Sequence, residues 1–395
     1  MATLLFMMLP EKGHLNASLK IAKALKARGH RVVYTSLSDF EDYLVSQGLE
    51  FIPLFQPVAP KGFITDCQVS VSPLDAVTKL LYLKGLKEKR TAHEYLEEEI
   101  NRIREQAWPD SIILDAYLAL RIARLVARLT TPCLLLNPTV RFPVDLNIPD
   151  HNSPAFDRLL ELPTLFLCPE EFDLPGSQRA NHHYYVEASV DLLRQDGEFA
   201  WDGINNEKQL IYCSLGTQSQ WSFAHEVNAA NQHVRLTFLR QVIKAVASRS
   251  DWQLVLTTGN HLRAEDFGSV PPNVLLASYV PQLEIIKRAS VVITHGGLNT
   301  IKECILLGAP MIVFPMEGDQ IGNAARVAYH HLGISGRLES ATAVGIRAMI
   351  DRIHNHPLYR RSIARMSQIF KHREESEQAV ALIESQLVRQ SAAGP

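Results

Sequence analysis

The sequence has 395 residues and no excess of charge of one sign. Its 40 Lys and Arg stand against 42 Asp and Glu, a formal net charge of −2. No global field draws such a chain to nucleic acid or to an anionic membrane. Cysteine is sparse too. Cys67, Cys133, Cys168, Cys213 and Cys304 are scattered, and no two form a C-x-x-C pair, so zinc and dithiol redox motifs are absent. Several sit in apolar runs such as CLLLN and IYCSLG, where they read as buried thiols of a reducing compartment. No stretch approaches the ~18 apolar residues of a spanning helix. The opening MATLLFMMLP lacks a basic start, and its apolar run of about seven residues is short for a secretory signal. It reads as a first buried strand, and the expected compartment is the cytoplasm.

Short apolar runs are plentiful. TLLFMM, RVVYTS, SIILDA, CLLLN and TLFLCP lie in the first half; LIYCSLG, QLVLTTG, NVLLASYV, SVVITHGG and MIVFP lie in the second. Runs of this length, bounded by turn residues, suit strands buried on both faces of a parallel sheet. Helical patterns separate them. After the first run, Leu15, Leu19, Ala22 and Leu25 share one helical face, and Arg28-Gly29-His30 supplies a stop. The βαβ alternation recurs in both halves, so the expected fold is α/β with two doubly wound domains. The polar stretch between Tyr185 and Lys208 marks the seam. The expected domains are 1–200 and 208–368, followed by 369–395, whose Ala379, Leu382, Ile383 and Leu387 form one apolar helical stripe; the end SAAGP is expected to fray. Phe51–Glu98, with Pro53, Pro57, Pro60 and Gly62, reads as a long loop followed by helices.

The segment from Tyr279 to Asn323 carries most of the chemistry. A buried strand ends at Thr294-His295, and Gly296-Gly297 allows a tight turn with backbone close to a ligand. Asn299 or Thr300 is placed to cap the next helix, whose first N–H groups form an anion site suited to a diphosphate. Tyr279 offers a ring for stacking, Gln282 an amide for a base edge, and Glu303 a carboxylate for ribose hydroxyls. Asp319 and Gln320 follow MIVFP at a strand's carboxyl edge, where open parallel sheets bind ligands.

In order and spacing, Y-V-P-Q, T-H-G-G-L-N-T-I-K-E, G-A-P and P-M-E-G-D-Q-I-G-N-A resemble the UDP-glycosyltransferase-like family of nucleotide-sugar glycosyltransferases, which have the GT-B fold. That family includes plant natural-product and bacterial macrolide glycosyltransferases. SLGT, LPEKGHLN and RGHRVVY add matches, so the resemblance spans most of the chain. It implies two Rossmann-like domains facing a cleft. Ser214, Gly216 and Thr217 would lie near the donor phosphates or the cleft. Tyr279 and Gln282 would hold the base, and His295, Gly297, Asn299 and Thr300 the diphosphate. Glu303 would bind ribose, and Asp319 and Gln320 the sugar. Tyr279 departs from the Trp common in the family, which loosens the reading of the base. Gln282 with Glu303 favours UDP over dTDP, because Glu303 would use the 2′-hydroxyl.

The resemblance also matches a catalytic histidine to His14 of LPEKGH and its carboxylate partner to Asp115 of SIILD. A hydroxyl nucleophile needs a base, and an imidazole oriented by a carboxylate supplies one. A helix-capping Asp is the plain alternative for Asp115. No D-x-D sequence occurs, so no metal and no other cofactor are expected, and the helix terminus with His295 would stabilise the leaving diphosphate. One base without a glycosyl nucleophile implies inversion. The implied partners are a nucleotide sugar and a small apolar acceptor, with no nucleic acid. Oligomeric state is not legible in the sequence. TKLLYLKGLKEKR reads as an ordinary amphipathic helix, with peripheral membrane contact as the alternative. A nucleotide-sugar epimerase would lack an acceptor pocket, and a non-catalytic partner would have lost His14 or the donor motif.

Overall fold

The structure is a computed structural model and describes residues 1–66, 73–140, 153–176, 180–194, 197, 199–216, 229–259 and 262–393. The strongest apolar runs become inner strands. The first sheet comprises β1 (Thr3–Met7), β2 (Arg31–Ser36), β3 (Glu50–Pro53), β4 (Ser111–Asp115), β5 (Cys133–Asn137), β6 (Thr164–Phe166) and β7 (His183–Tyr185). Its order is β3-β2-β1-β4-β5-β6-β7, all parallel. Side chains alternate between two cores. Leu5, Val33, Ile112 and Leu135 enter one; Leu4, Phe6, Tyr34, Ile113 and Leu134 enter the other. Burial on both faces is why these runs are continuously apolar.

The helix Lys12–Ala27 buries Leu15, Leu19, Ala22 and Leu25 as the pattern predicts. It stops where Gly29 takes φ +88, a left-handed conformation open to glycine. The last described helix, Gln378–Ala393, buries Ala379, Val380 and Ile383 in the first sheet's core, with Leu382 and Leu387 packed beside them. Glu187 accepts a hydrogen bond from the Ala379 N–H at 3.0 Å, which satisfies a free donor at that helix's start. Arg28 pairs with Glu377 and Glu384 at 2.6 and 2.7 Å. Within SAAGP, Ser391–Ala393 close this helix, and Gly394 and Pro395 lie outside the described residues.

The second sheet comprises β8 (Gln209–Ser214), β9 (Trp252–Thr257), β10 (Val274–Ala277), β11 (Val291–Thr294), β12 (Met311–Val313) and β13 (Gly333–Ser335). Its order is β10-β9-β8-β11-β12-β13, again parallel. Ile211, Cys213, Leu254, Leu256 and Ile293 pack against Phe238, Val242 and Val246 of the helix Ala229–Ala247. The chain divides into two compact units: Met1–Glu170, Ser177–Gln195 and Arg373–Pro395 in one, Glu171–Gly176 and Asp196–His372 in the other. The short insert belongs to the second unit through Phe172, wholly buried against Phe370, and Asp173, paired with Arg326.

Three strands depart from expectation. β3, β7 and β13 were not legible, and β3 starts the stretch expected to be a loop. All three stand at sheet edges or pair last, and two are three residues long. In β3 only Ile52 is fully buried, so the apolar signal is a single residue. Beyond it, 54–62 run as turns and irregular backbone, and the helices Phe63–Asp66, Pro73–Glu88 and the start of Ala92–Ala107 follow, as expected.

Candidate functional site

Each sheet has one place where successive connections diverge to opposite sides. In the first it lies between β1 and β4, in the second between β8 and β11. Such switch points open a crevice at the strands' carboxyl ends. The candidate residues gather at both.

At the first, His14 sits in the opening turn of the helix that follows β1, and Asp115 ends β4. His14 Nδ1 lies 2.7 Å from Asp115 Oδ2, and Asp115 is wholly buried. An ionised carboxylate only accepts, so Nδ1 carries the hydrogen and Nε2 the lone pair. The other carboxylate oxygen accepts from the N–H groups of Tyr117 and Leu118, at 2.9 and 3.2 Å. Asp115 is therefore both a helix cap and the partner of His14. The Tyr117 ring meets the imidazole edge to face at 5.3 Å.

At the second, Thr294 stands in register with Ser214. Ser214 is buried, and its Oγ accepts from the Gly216 N–H at 3.3 Å. His295 is buried between two glycines. A Cβ on Gly216 would stand 2.3 Å from His295 Cε1, and one on Gly297 2.7 Å from Nε2. Burial lowers the His295 pKa to about 4, the charge of Arg235 adds to this, and a backbone hydrogen bond with Ser214 opposes it. The ring is neutral at pH 7 and has one N–H, which the Ser214 carbonyl accepts. Thr217 lies outside the described residues.

The helix Leu298–Leu307 begins two residues earlier than a cap at Asn299 would set, and three earlier than one at Thr300. Gly297 is its N-cap, without a side-chain hydrogen bond. Asn299 and Thr300 are inside the first turn, so neither caps it. Glycine won the position because the Gly296 turn, at φ +93, brings the backbone against Val313. Glu303 is 2% exposed rather than turned to solvent. Gln282 donates to Glu303 Oε2 at 2.6 Å and to Thr300 Oγ1 at 3.4 Å, while Tyr212 Oη donates to Gln282 Oε1 at 3.3 Å. Gln282, read for the base edge, and Glu303, read for the ribose, thus form one hydrogen-bonded group. Tyr279 is 39% exposed, and its Oη accepts from the Gly197 N–H at 3.1 Å.

Asp319 opens the helix Asp319–Tyr329 and is exposed, while Gln320 is buried. Gln320 Oε1 accepts from the N–H groups of Met316 and Glu317, at 3.0 and 3.3 Å, and so shapes its own turn. Asn323, one helical turn on, donates to Asp319 Oδ2 at 2.9 Å and to the Gly296 carbonyl at 3.0 Å. It ties the Asp319 turn to the His295 turn. Sequence reasoning quoted Asn323 within the motif without giving it a role; its i+4 spacing from Asp319 was the available signal. Arg235 was missed altogether. It is buried on the helix Ala229–Ala247, close enough to act on His295, and its only sequence signal is a cation in a largely apolar pattern.

His14 and Asp115 belong to the first unit and the other described candidates to the second. Among the described residues no group of three or more His, Cys, Asp or Glu is arranged to hold a metal ion, and no helix is long and apolar enough to cross a membrane.

Two doubly wound parallel sheets, each with its site at the switch point, define the GT-B class of glycosyltransferase folds. Comparison with known proteins narrows this. Residues 252–391 match the family described as UDP-glucoronosyl and UDP-glucosyl transferase. The chain is 23% identical to the uncharacterized UDP-glucosyltransferase YojK of Bacillus subtilis, over 94% of each chain. It is 25% identical to the oleandomycin glycosyltransferase of Streptomyces antibioticus, over 95% of this chain and 88% of that one. The solved glycotransferase of kitacinnamycin superposes with a TM-score of 0.75, at 24% identity over 98% of this chain and 99% of the other. The chain is similar to the UDP-glycosyltransferase-like family along most of its length and is a glycosyltransferase.

Proposed function

We propose that the protein transfers a sugar from a nucleotide donor, UDP-linked in preference to dTDP-linked, to a hydroxyl of a small, largely apolar natural product, without a metal and with inversion. The observation that carries this reading is the 2.7 Å contact between His14 and Asp115, which lie 101 residues apart in sequence and meet at the first sheet's switch point. His14 Nε2 takes the acceptor hydroxyl's proton as the oxygen attacks the anomeric carbon. The bond from that carbon to the diphosphate oxygen breaks, and the diphosphate leaves with the electron pair. Asp115 stabilises the imidazolium that forms. One displacement at carbon inverts its configuration.

The charge on the leaving diphosphate falls to the second unit. The first turn of Leu298–Leu307 has main-chain N–H groups without a side-chain cap, and neutral His295 adds a donor by turning its one N–H from the Ser214 carbonyl to the diphosphate. Tyr279 takes the base, the Gln282–Glu303 pair takes base edge and ribose, and Asp319 and Gln320 take the sugar. The oleandomycin glycosyltransferase supports a natural-product acceptor. Free thiols at Cys133, Cys213 and Cys304 support a reducing, cytoplasmic setting.

The test is calorimetric titration with UDP, dTDP and their glucose conjugates in EDTA, followed by proton NMR of the glycoside formed. UDP-glucose should bind in EDTA, and its α-linked sugar should appear as a β-glycoside. Absence of nucleotide binding, a strict magnesium requirement or a retained configuration would each reject the corresponding part of the reading.

A further inference from the structure

The helix Pro73–Glu88 is apolar on two opposite faces. Val77, Leu81 and Gly85 point inward, with Val77 and Leu81 in the first unit's core. A Cβ on Gly85 would collide with the Arg90 carbonyl, so this face packs closely. The opposite face carries Lys79, Tyr82, Leu83 and Leu86, at the i, i+3, i+4, i+7 spacing of one stripe, with Leu80 and Lys87 at its margin. Tyr82 is 59% exposed, Leu83 46% and Leu86 63%. A surface helix ordinarily turns charge outward; here the outward stripe is one lysine and three large apolar residues.

The charges say what covers it. From Ala76 to Lys87 there is no acidic residue, and Lys79, Lys84 and Lys87 are all in this stretch. Asp75 is paired with Arg121, and Glu88 takes the Tyr95 hydroxyl, so the acids at both ends are engaged. On the neighbouring helix Ala92–Ala107, Glu98 is paired with Arg90 and Glu97 with Arg128. Leucines that enter the acyl boundary, a tyrosine at headgroup depth and lysines that reach outward form an interfacial helix. A protein partner with a matching apolar groove would not need the lysines.

We propose that the outward face of Pro73–Glu88 docks on an anionic lipid surface and holds the first unit there by peripheral contact. The inference is independent of the reaction proposed above. It places the enzyme where apolar acceptors partition.

The probe is cosedimentation of the full chain with vesicles of phosphatidylcholine alone and of phosphatidylcholine mixed with phosphatidylglycerol. The chain should pellet with the mixed vesicles, fail to pellet with the neutral ones, and be released by salt. Leu83→Glu with Leu86→Glu, and separately Lys79→Gln with Lys87→Gln, should each weaken partitioning by about tenfold or more. Val344→Glu, at an exposed apolar site of the second unit, should leave it unchanged. In Tyr82→Trp the added emission should shift blue on the mixed vesicles, a readout that does not depend on the disruptive variants. No pelleting by the wild type, equal pelleting with neutral vesicles, or retained binding in the Leu83/Leu86 variant would overturn the proposal. So would an oligomer, seen by sedimentation equilibrium without lipid, that the same variant dissociates, since the face would then bind a second copy.

Discussion

Gly216 lies with its bare Cα against the His295 ring, so that a Cβ there would come within 2.3 Å of Cε1. The backbone is also left-handed at this point, at φ +79. Gly216→Ala therefore has two penalties, a strained backbone and a displaced imidazole. The strain alone is worth on the order of 1 to 3 kcal/mol. The expected outcome is a lowered thermal midpoint together with weaker UDP binding by calorimetry. Unchanged UDP affinity would mean that His295 tolerates displacement and has no part in holding the diphosphate.

Asp115 has two tasks that substitution separates. One oxygen caps the helix Ala116–Arg121 and the other meets His14. Asp115→Asn keeps a capping oxygen but removes the charge that stabilises the imidazolium. Its stability should stay near wild type while kcat falls. Asp115→Ala removes the cap as well and should lose a further 0.5 to 2 kcal/mol, roughly, of stability. His14→Ala should lower kcat by roughly 10² to 10⁴-fold and leave UDP binding intact, since it only removes the base. Steady-state kinetics beside calorimetry distinguish these outcomes. A His14→Ala protein that no longer binds nucleotide would have a structural histidine there instead.

The buried imidazole of His295 makes stability depend on acid. Its folded pKa is about 4, below the ordinary value of 6.5. Between those values the unfolded chain takes up a proton that the folded chain refuses. His295 thus contributes stability that is fully present above about pH 6.5 and is lost as pH falls toward 4. His295→Asn should flatten the denaturation midpoint across that window, measured by urea titration at a series of pH values. Nucleotide binding by the wild type should show no His295 titration between pH 6 and 8, because the ring is already neutral there.

Much of this was legible in the sequence because it is local. The inner strands are unbroken apolar runs, and most of the donor candidates lie in one stretch from Tyr279 to Asn323, whose order and spacing carry the family resemblance. What failed was short or distant. β7 and β13, HYY and GIS, lack the buried apolar run that marks the equally short β6 and β12. Asn299 and Thr300 were read as caps by residue type, yet the chain turns on Gly296 and the helix starts at Leu298. The burial of Glu303 has no local signal either, because Gln282, twenty-one residues earlier, covers it. Arg235 joins the site from more than forty residues before Tyr279, with no spacing rule to connect them.

Asp173 and Arg326 are the clearest case of a contact that no motif announces. Both nitrogens Nε and Nη2 of Arg326 donate to Asp173 Oδ1, at 2.9 and 2.7 Å, and both side chains are almost wholly buried. Their worth as a pair is modest, because burying two charges offsets much of their attraction. Removing one partner is another matter. Asp173→Ala leaves a buried guanidinium without its carboxylate on the helix that begins at Asp319, and should lower stability by about 3 to 5 kcal/mol. Replacing both residues, Asp173→Leu with Arg326→Met, should recover most of that loss. A thermal melt of the three variants decides the matter. If the double replacement melts as low as Asp173→Ala, the ion pair itself holds the Phe172 segment on the second unit; if it recovers, packing around Phe172, Phe370 and His330 is sufficient and the charges serve only to match each other.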